Sequence, residues 1–177
     1  MDPLLIIAAF FIILGLGASQ IKKTKDGKIK DESITPKLVL EKLEEFTITL
    51  KPHLKYGYTE KSIQKQLDIY LKSYFKHITR EYEIEGISGT KIDFDIGRGK
   101  VGLEVKLADS IFKSAGYQRM LGQLQEYSSA KYRKNNLIVL VAGSTEQGEE
   151  RAMIAKLKAN IENNNAIMLF VKIPKNQ

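Results

Sequence analysis

Asp93, Glu104 and Lys106 are the residues whose types and spacing most clearly point to chemistry. They sit in two alternating runs, KIDFDI and VGLEVKL, joined by Gly97-Arg98-Gly99-Lys100. Such a four-residue, glycine-rich joint reads as a tight hairpin turn. With Arg98 and Gly99 as the central turn residues, Asp93 falls opposite Glu104, Lys91 opposite Lys106 and Asp95 opposite Gly102. Side chains two apart on a strand share a face, so Asp93, Asp95, Glu104 and Lys106 share one. Two carboxylates opposite each other repel. A divalent cation between them reverses that sign, and magnesium or manganese favours oxygen ligands of this kind. The metal would polarise a phosphodiester and lower the pKa of a bound water. Lys106 would place that water or stabilise developing negative charge. A surface hairpin with unrelated charges is the competing reading. It holds better for Asp93 alone than for the set, because Glu104 and Lys106 interrupt a run otherwise apolar enough to be buried.

Three further residues join as candidates. Glu60 precedes Ile63 by three and Leu67 by seven, so it projects from the apolar side of its helix at the first turn. A helix N-terminus also favours a carboxylate on electrostatic grounds alone. Gln123 and Tyr127 are four apart and lie on one helix face, where an amide and a phenol can hold a phosphate or orient Lys106. Taken alone, such a pair is more often ordinary helix packing. Arg119, four before Gln123, is either a phosphate contact or surface.

The elements that must carry these residues follow from periodicity and punctuation. Thr35-Pro36 opens a helix over 36–46, and 48–58, with Pro52 and Gly57, reads as a loop. Thr59 caps a helix to about Phe75, with its stripe at Ile63, Leu67, Tyr70, Leu71 and Tyr74. Strands are expected at 78–85, 91–96 and 101–107, then a helix from Asp109 or Ser110 to about Tyr132. Glu81, Glu83 and Glu85 alternate on the first strand and read as a solvated edge. LIVLVA at 137–142 is a strand buried on both faces. Ser144 and Gln147 form a capping-box pattern for a helix to about Asn163, and 166–173 is a last strand. This order predicts an α/β domain, a mixed sheet with helices packed on it.

Composition narrows the chemistry further. The 177 residues suffice for one domain with a core and a short appendage. No cysteine is present, which excludes disulfides, zinc-thiolate sites and cysteine nucleophiles. The two histidines, His53 and His77, lack ligand spacing, so any metal would rest mainly on oxygen. A net charge of +7 suits a polyanionic partner, or simply a lysine-rich surface. Neither a G-x-S-x-G elbow nor a P-loop signature occurs. Residues 3–20 carry no charge and as a helix would reach about 27 Å, enough to cross a bilayer core. Lysines follow this run rather than precede it. That argues against a cleaved signal peptide and places the following chain in the cytoplasm. The expected organisation is therefore a transmembrane anchor at 1–20, a basic linker at 21–34 and a folded domain at 35–177. The lysines of the linker are also suited to anionic lipid headgroups.

Taken together, these residues resemble the PD-(D/E)XK nuclease superfamily, in the branch that carries a QxxxY element. Residues 59–142 follow its core order of helix, three strands, helix, strand. The resemblance implies a restriction-endonuclease-like core (αβββαβ) with a mixed central sheet, preceded here by one N-terminal transmembrane helix. It implies Asp93 and Glu104 as metal ligands with the Val105 carbonyl, and magnesium or manganese as cofactor. It assigns Lys106 to the attacking water, Glu60 to the first core helix, and Gln123 and Tyr127 to supporting substrate or lysine. Ile92 stands where the motif has proline, which leaves Asp95 open as the alternative ligand. The implied function is a membrane-anchored, metal-dependent nuclease, endo- or exo-, acting on nucleic acid, with DNA favoured over RNA. Two rivals stand beside it: a nucleic-acid-binding module of the same fold without cleavage, and a membrane-associated interaction domain whose charges form a structural ion-pair network.

Overall fold

The computed structural model describes residues 21–50, 58–87, 89–143 and 148–173. Helix α1 spans Pro36–Leu50 and is opened by the Thr35 hydroxyl, which accepts the Leu38 N–H at 3.2 Å. It runs past the expected end at Phe46. No residue from 47 to 50 forbids helical φ, and the residue that Pro52 pushes out of the helical region, Lys51, lies just past the end of the helix. Helix α2, Glu60–Tyr74, starts at a reciprocal capping box between Thr59 and Ser62 and buries Ile63, Leu67 and Leu71.

Five strands follow: β1 Ile78–Glu83, β2 Lys91–Ile96, β3 Val101–Leu107, β4 Leu137–Gly143 and β5 Ala166–Lys172. They form one sheet in the order β1-β2-β3-β4-β5. The first two pairings are antiparallel and the last two parallel. Parallel neighbours need crossovers. The β3–β4 crossover carries a short helix α3, Ala108–Ile111, and then α4, Ser114–Ala130; the β4–β5 crossover carries α5, Gly148–Asn163. Every residue of β4 is buried, because helices cover both its faces. On one face Leu43 of α1 and Leu67 of α2 pack with Phe94, Leu103 and Ile138. On the other, Leu124 and Tyr127 of α4 and Ile161 of α5 pack with Val139 and Val141. β1 is one of the two edge strands, and Glu81 and Glu83 are exposed on it.

The fold departs from the sequence expectations in three places. First, the helix expected from Asp109 or Ser110 to Tyr132 breaks at Phe112-Lys113. The break lets α4 fold back until Gly116 meets the Ser110 carbonyl, where any Cβ would collide with backbone. Second, residues 21–34 are not a free linker. Ile29 and Ile34 are 4% and 5% exposed, and Ile29 bridges to Phe75. Two apolar residues among the lysines are enough to seat this segment on the core. Third, the described architecture is an α/β fold with a five-stranded mixed sheet, and the expected N-terminal transmembrane helix is not among its described elements. Among the described residues, no helix is long and apolar enough to cross a membrane. The run at 3–20 lies outside the described residues, as do Ser144 and Gln147. The single-pass membrane location, its cytoplasmic orientation and the membrane partner therefore have no described element to carry them and are withdrawn.

Candidate functional site

The hairpin has the register that its turn implies, with Phe94 opposite Leu103, Asp95 opposite Gly102 and Ile96 opposite Val101. Gly97, Arg98 and Gly99 all take positive φ to close it, which is why two glycines flank the arginine. The ladder stops at Phe94 and Leu103. Beyond that point the carboxylates replace the missing strand-to-strand bonds. Asp93 Oδ2 accepts the Val105 N–H at 2.7 Å, and Glu104 Oε2 accepts the Asp93 N–H at 3.3 Å. Strand β2 also changes face here. Ile92 packs with Tyr127 and Tyr132, whereas Phe94, two residues on, packs in the opposite cluster. In the β1–β2 register, the neighbours Arg80–Phe94 and Tyr82–Ile92 bracket Glu81 and Asp93, and Glu81 holds φ +46°. The strand irregularity thus lies at Asp93 itself.

Lys106 Nζ lies 2.6 Å from Glu104 Oε1. The Glu104 side chain is only 3% exposed and that of Lys106 19%. Burial, and then the Asp93 charge, push the Glu104 carboxyl up to about 7, against the opposing pull of Lys106. Burial also raises Asp93, although the Val105 N–H and Lys106 pull it down. For Lys106, burial favours the neutral amine, but Glu104, Asp93 and Glu60 outweigh it and the ammonium is held above its ordinary value. The result is one half-buried ammonium paired to Glu104, with the Asp93 charge close by, and each carboxylate already accepts a strand amide.

Glu60 approaches this cluster from the start of α2. Its Oε1 accepts the Leu107 N–H at 3.0 Å and stands 3.1 Å from the Ser110 hydroxyl. It therefore ties the end of β3 to α3. Gln64, one helical turn on, was not singled out from sequence, although its i+4 spacing from Glu60 was a usable signal. Its amide oxygen accepts from Arg80 at 3.5 Å, and its amide helps to pull the Asp93 carboxyl down. Glu60, Lys106, Ser110, Arg119 and Gln123 line a cavity of about 290 Å³ against Met120 and Gly116.

Other expected members stand elsewhere. Tyr127 is fully buried, and its hydroxyl donates to the Lys91 carbonyl at 2.7 Å. It fastens α4 to the start of β2 and does not line the cavity, though Glu104 and Asp93, after burial, push its phenol up. Tyr127→Phe is expected to cost about 1 kcal/mol in urea denaturation and to leave ligand affinity unchanged. Asp95 is no alternative ligand. It is buried at the turn end of the hairpin, accepting from the Tyr132 hydroxyl at 2.6 Å and the Gly99 N–H at 3.0 Å, with Lys131 Nζ at 3.6 Å. Val105 meets Asp93 through its N–H.

The expected cofactor is a divalent metal ion. Among the described residues, no group of three or more His, Cys, Asp or Glu is placed to hold one. The positive charge that would relieve Asp93 and Glu104 is supplied by Lys106. The expected metal-dependent nuclease centre is corrected accordingly. No family model matches the chain, and neither a curated protein nor a solved structure similar to it was found.

Proposed function

We propose that this is a binding domain of the PD-(D/E)XK type that holds nucleic acid through its phosphates and does not cleave it with a metal. The observation that carries this reading is the use of Asp93 and Glu104. Both carboxylates serve as acceptors for opposite-strand amides and counter-ions for Lys106, which is a structural task. The resemblance is supported by the element order from α2 to β4 and by the mixed sheet. Polyanion binding is supported by the charge of +7.

The test uses the purified full chain with labelled duplex DNA, single-stranded DNA and RNA. Fluorescence anisotropy in EDTA is expected to show binding that weakens steeply with salt. Calorimetry with manganese is expected to show no binding at the hairpin. Magnesium-dependent cleavage that Glu104→Ala abolishes would restore the enzyme reading. Absence of binding to every nucleic acid at low salt would leave the ion-pair interaction domain instead.

A further inference from the structure

The end of the sheet away from the carboxylate cluster gathers cations from four separate chain segments. The β2–β3 turn brings Arg98 and Lys100, and the α4–β4 loop brings Arg133 and Lys134, all exposed. Lys76, also exposed, follows α2, and Lys28 and Lys30 flank the buried Ile29. Backbone bonds hold these segments side by side. The Gly97 N–H donates to the His77 carbonyl at 2.9 Å, Gly102 to Asn136 at 2.8 Å, and Lys76 to Ile29 at 3.2 Å.

Two of the acids at this end, Asp95 and Asp31, are engaged internally. Asp95 is buried under Tyr132, Lys131 and the Gly99 amide. Asp31 bonds His77 at 2.7 Å and lies 3.9 Å from Arg98. Asp26 bonds Thr24 but stays exposed, so Asp26 and Glu32 are the exposed counter-charges on the segment 21–34.

A second observation is independent of charge. Arg98 holds φ +56° and Lys134 φ +57°. These are left-handed positions that glycine or asparagine would occupy at lower cost. Two long cations placed at the apices of adjacent loops, against backbone preference, are a local strain of the kind that collects at functional surfaces.

We propose that this basic end of the sheet is the nucleic-acid interface, gripping the phosphate backbone without reading bases, and that the Lys106–Arg119 cavity is not. The inference rests on the nucleic-acid reading and adds its location. Arg98, Lys100, Arg133 and Lys134 each supply a phosphate contact, and the loops are held rigid by the sheet beneath.

Lys134→Gly and Arg98→Gly test it, because glycine removes the charge and suits the local φ. In the full chain, the double variant is expected to keep or raise the melting temperature while losing tenfold or more in affinity for duplex DNA. The slope of affinity against salt should also become shallower. Lys65→Gln with Lys158→Gln, exposed on α2 and α5, likewise removes two positive charges, is the charge control and should change affinity less than threefold. Affinity unchanged in the glycine variant, but lost in Arg119→Ala, overturns this location and leaves the nucleic-acid reading standing. An equal loss from the control pair also overturns it, since binding would then follow net charge alone. Wild-type protein that binds phosphatidylserine vesicles and no nucleic acid removes both the location and the reading.

Discussion

Lys106→Met is expected to destabilise the folded domain by about 3–5 kcal/mol at pH 8. Methionine keeps most of the unbranched apolar stem, so the loss reflects charge more than volume. What it leaves behind is Glu104, whose side chain is 3% exposed, beside Asp93, with no cation between them. Two strand amides continue to donate to these carboxylates, but hydrogen bonds from neutral groups do not offset two ionised acids in a low dielectric. Urea denaturation at pH 8 measures the loss. At pH 5 it shrinks, because Glu104 then carries a proton and needs no counter-ion. Lys106→Met combined with Glu104→Gln recovers most of the stability, since removing both partners leaves less uncompensated charge than removing one. A loss below about 1 kcal/mol at pH 8 would mean that the pair behaves as a solvated surface bridge, and the structural account of the cluster would fall with it.

The second large effect is the pH dependence of the wild-type protein. Glu104 has its carboxyl pushed from an ordinary 4.5 up to about 7 by burial and then by Asp93. Between these values the folded chain holds a proton that the unfolded chain has released. The unfolded state therefore binds fewer protons, and stability falls as pH rises through this window. Above about 7 both states are ionised and the contribution levels off. Each tenfold difference in proton affinity between the two states is worth ~1.4 kcal/mol, so the fall is on the order of 3 kcal/mol. Asp93, also raised, adds in the same direction. Other carboxylates titrate nearby, so the contribution is isolated by comparison with Glu104→Gln. That variant should lose the decline between pH 4.5 and 7 and equal or exceed the wild type at pH 8. Parallel stability profiles for the two proteins would show that Glu104 titrates normally, and that its burial imposes no penalty.

Both effects arise where sequence and structure part company. Counting from the turn places Asp93 opposite Glu104, and the ladder has that register as far as Phe94 and Leu103. The count could not show that the ladder opens at the next pair, because the opening involves Glu81 on β1 and the packing of Ile92 under Tyr127. An opened ladder needs acceptors for its amides, and the two carboxylates supply them. The same residues that a motif reads as metal ligands are thereby used as strand caps. Asp93 and Asp95 were indistinguishable by alternation alone. They separate once Tyr132, distant in sequence, reaches Asp95.

What the sequence determined by itself was local. Period two and the Gly-Arg-Gly turn determined the hairpin and its register, and Thr59 with the Ile63–Leu67–Leu71 stripe determined α2. The run LIVLVA determined a strand buried on both faces. These are properties of neighbours a few residues apart, governed by backbone sterics and side-chain direction. Tertiary structure alone decided that residues 21–34 join the core, that the helix after β3 breaks beside Gly116, and that Glu60 reaches the Leu107 amide. It also decided which charge answers Asp93 and Glu104. Burial sets that choice, since an ammonium or a metal ion is favoured only by what surrounds the pair once water is excluded. The surroundings come from α2, β1 and α4, none of them adjacent in sequence to the hairpin turn.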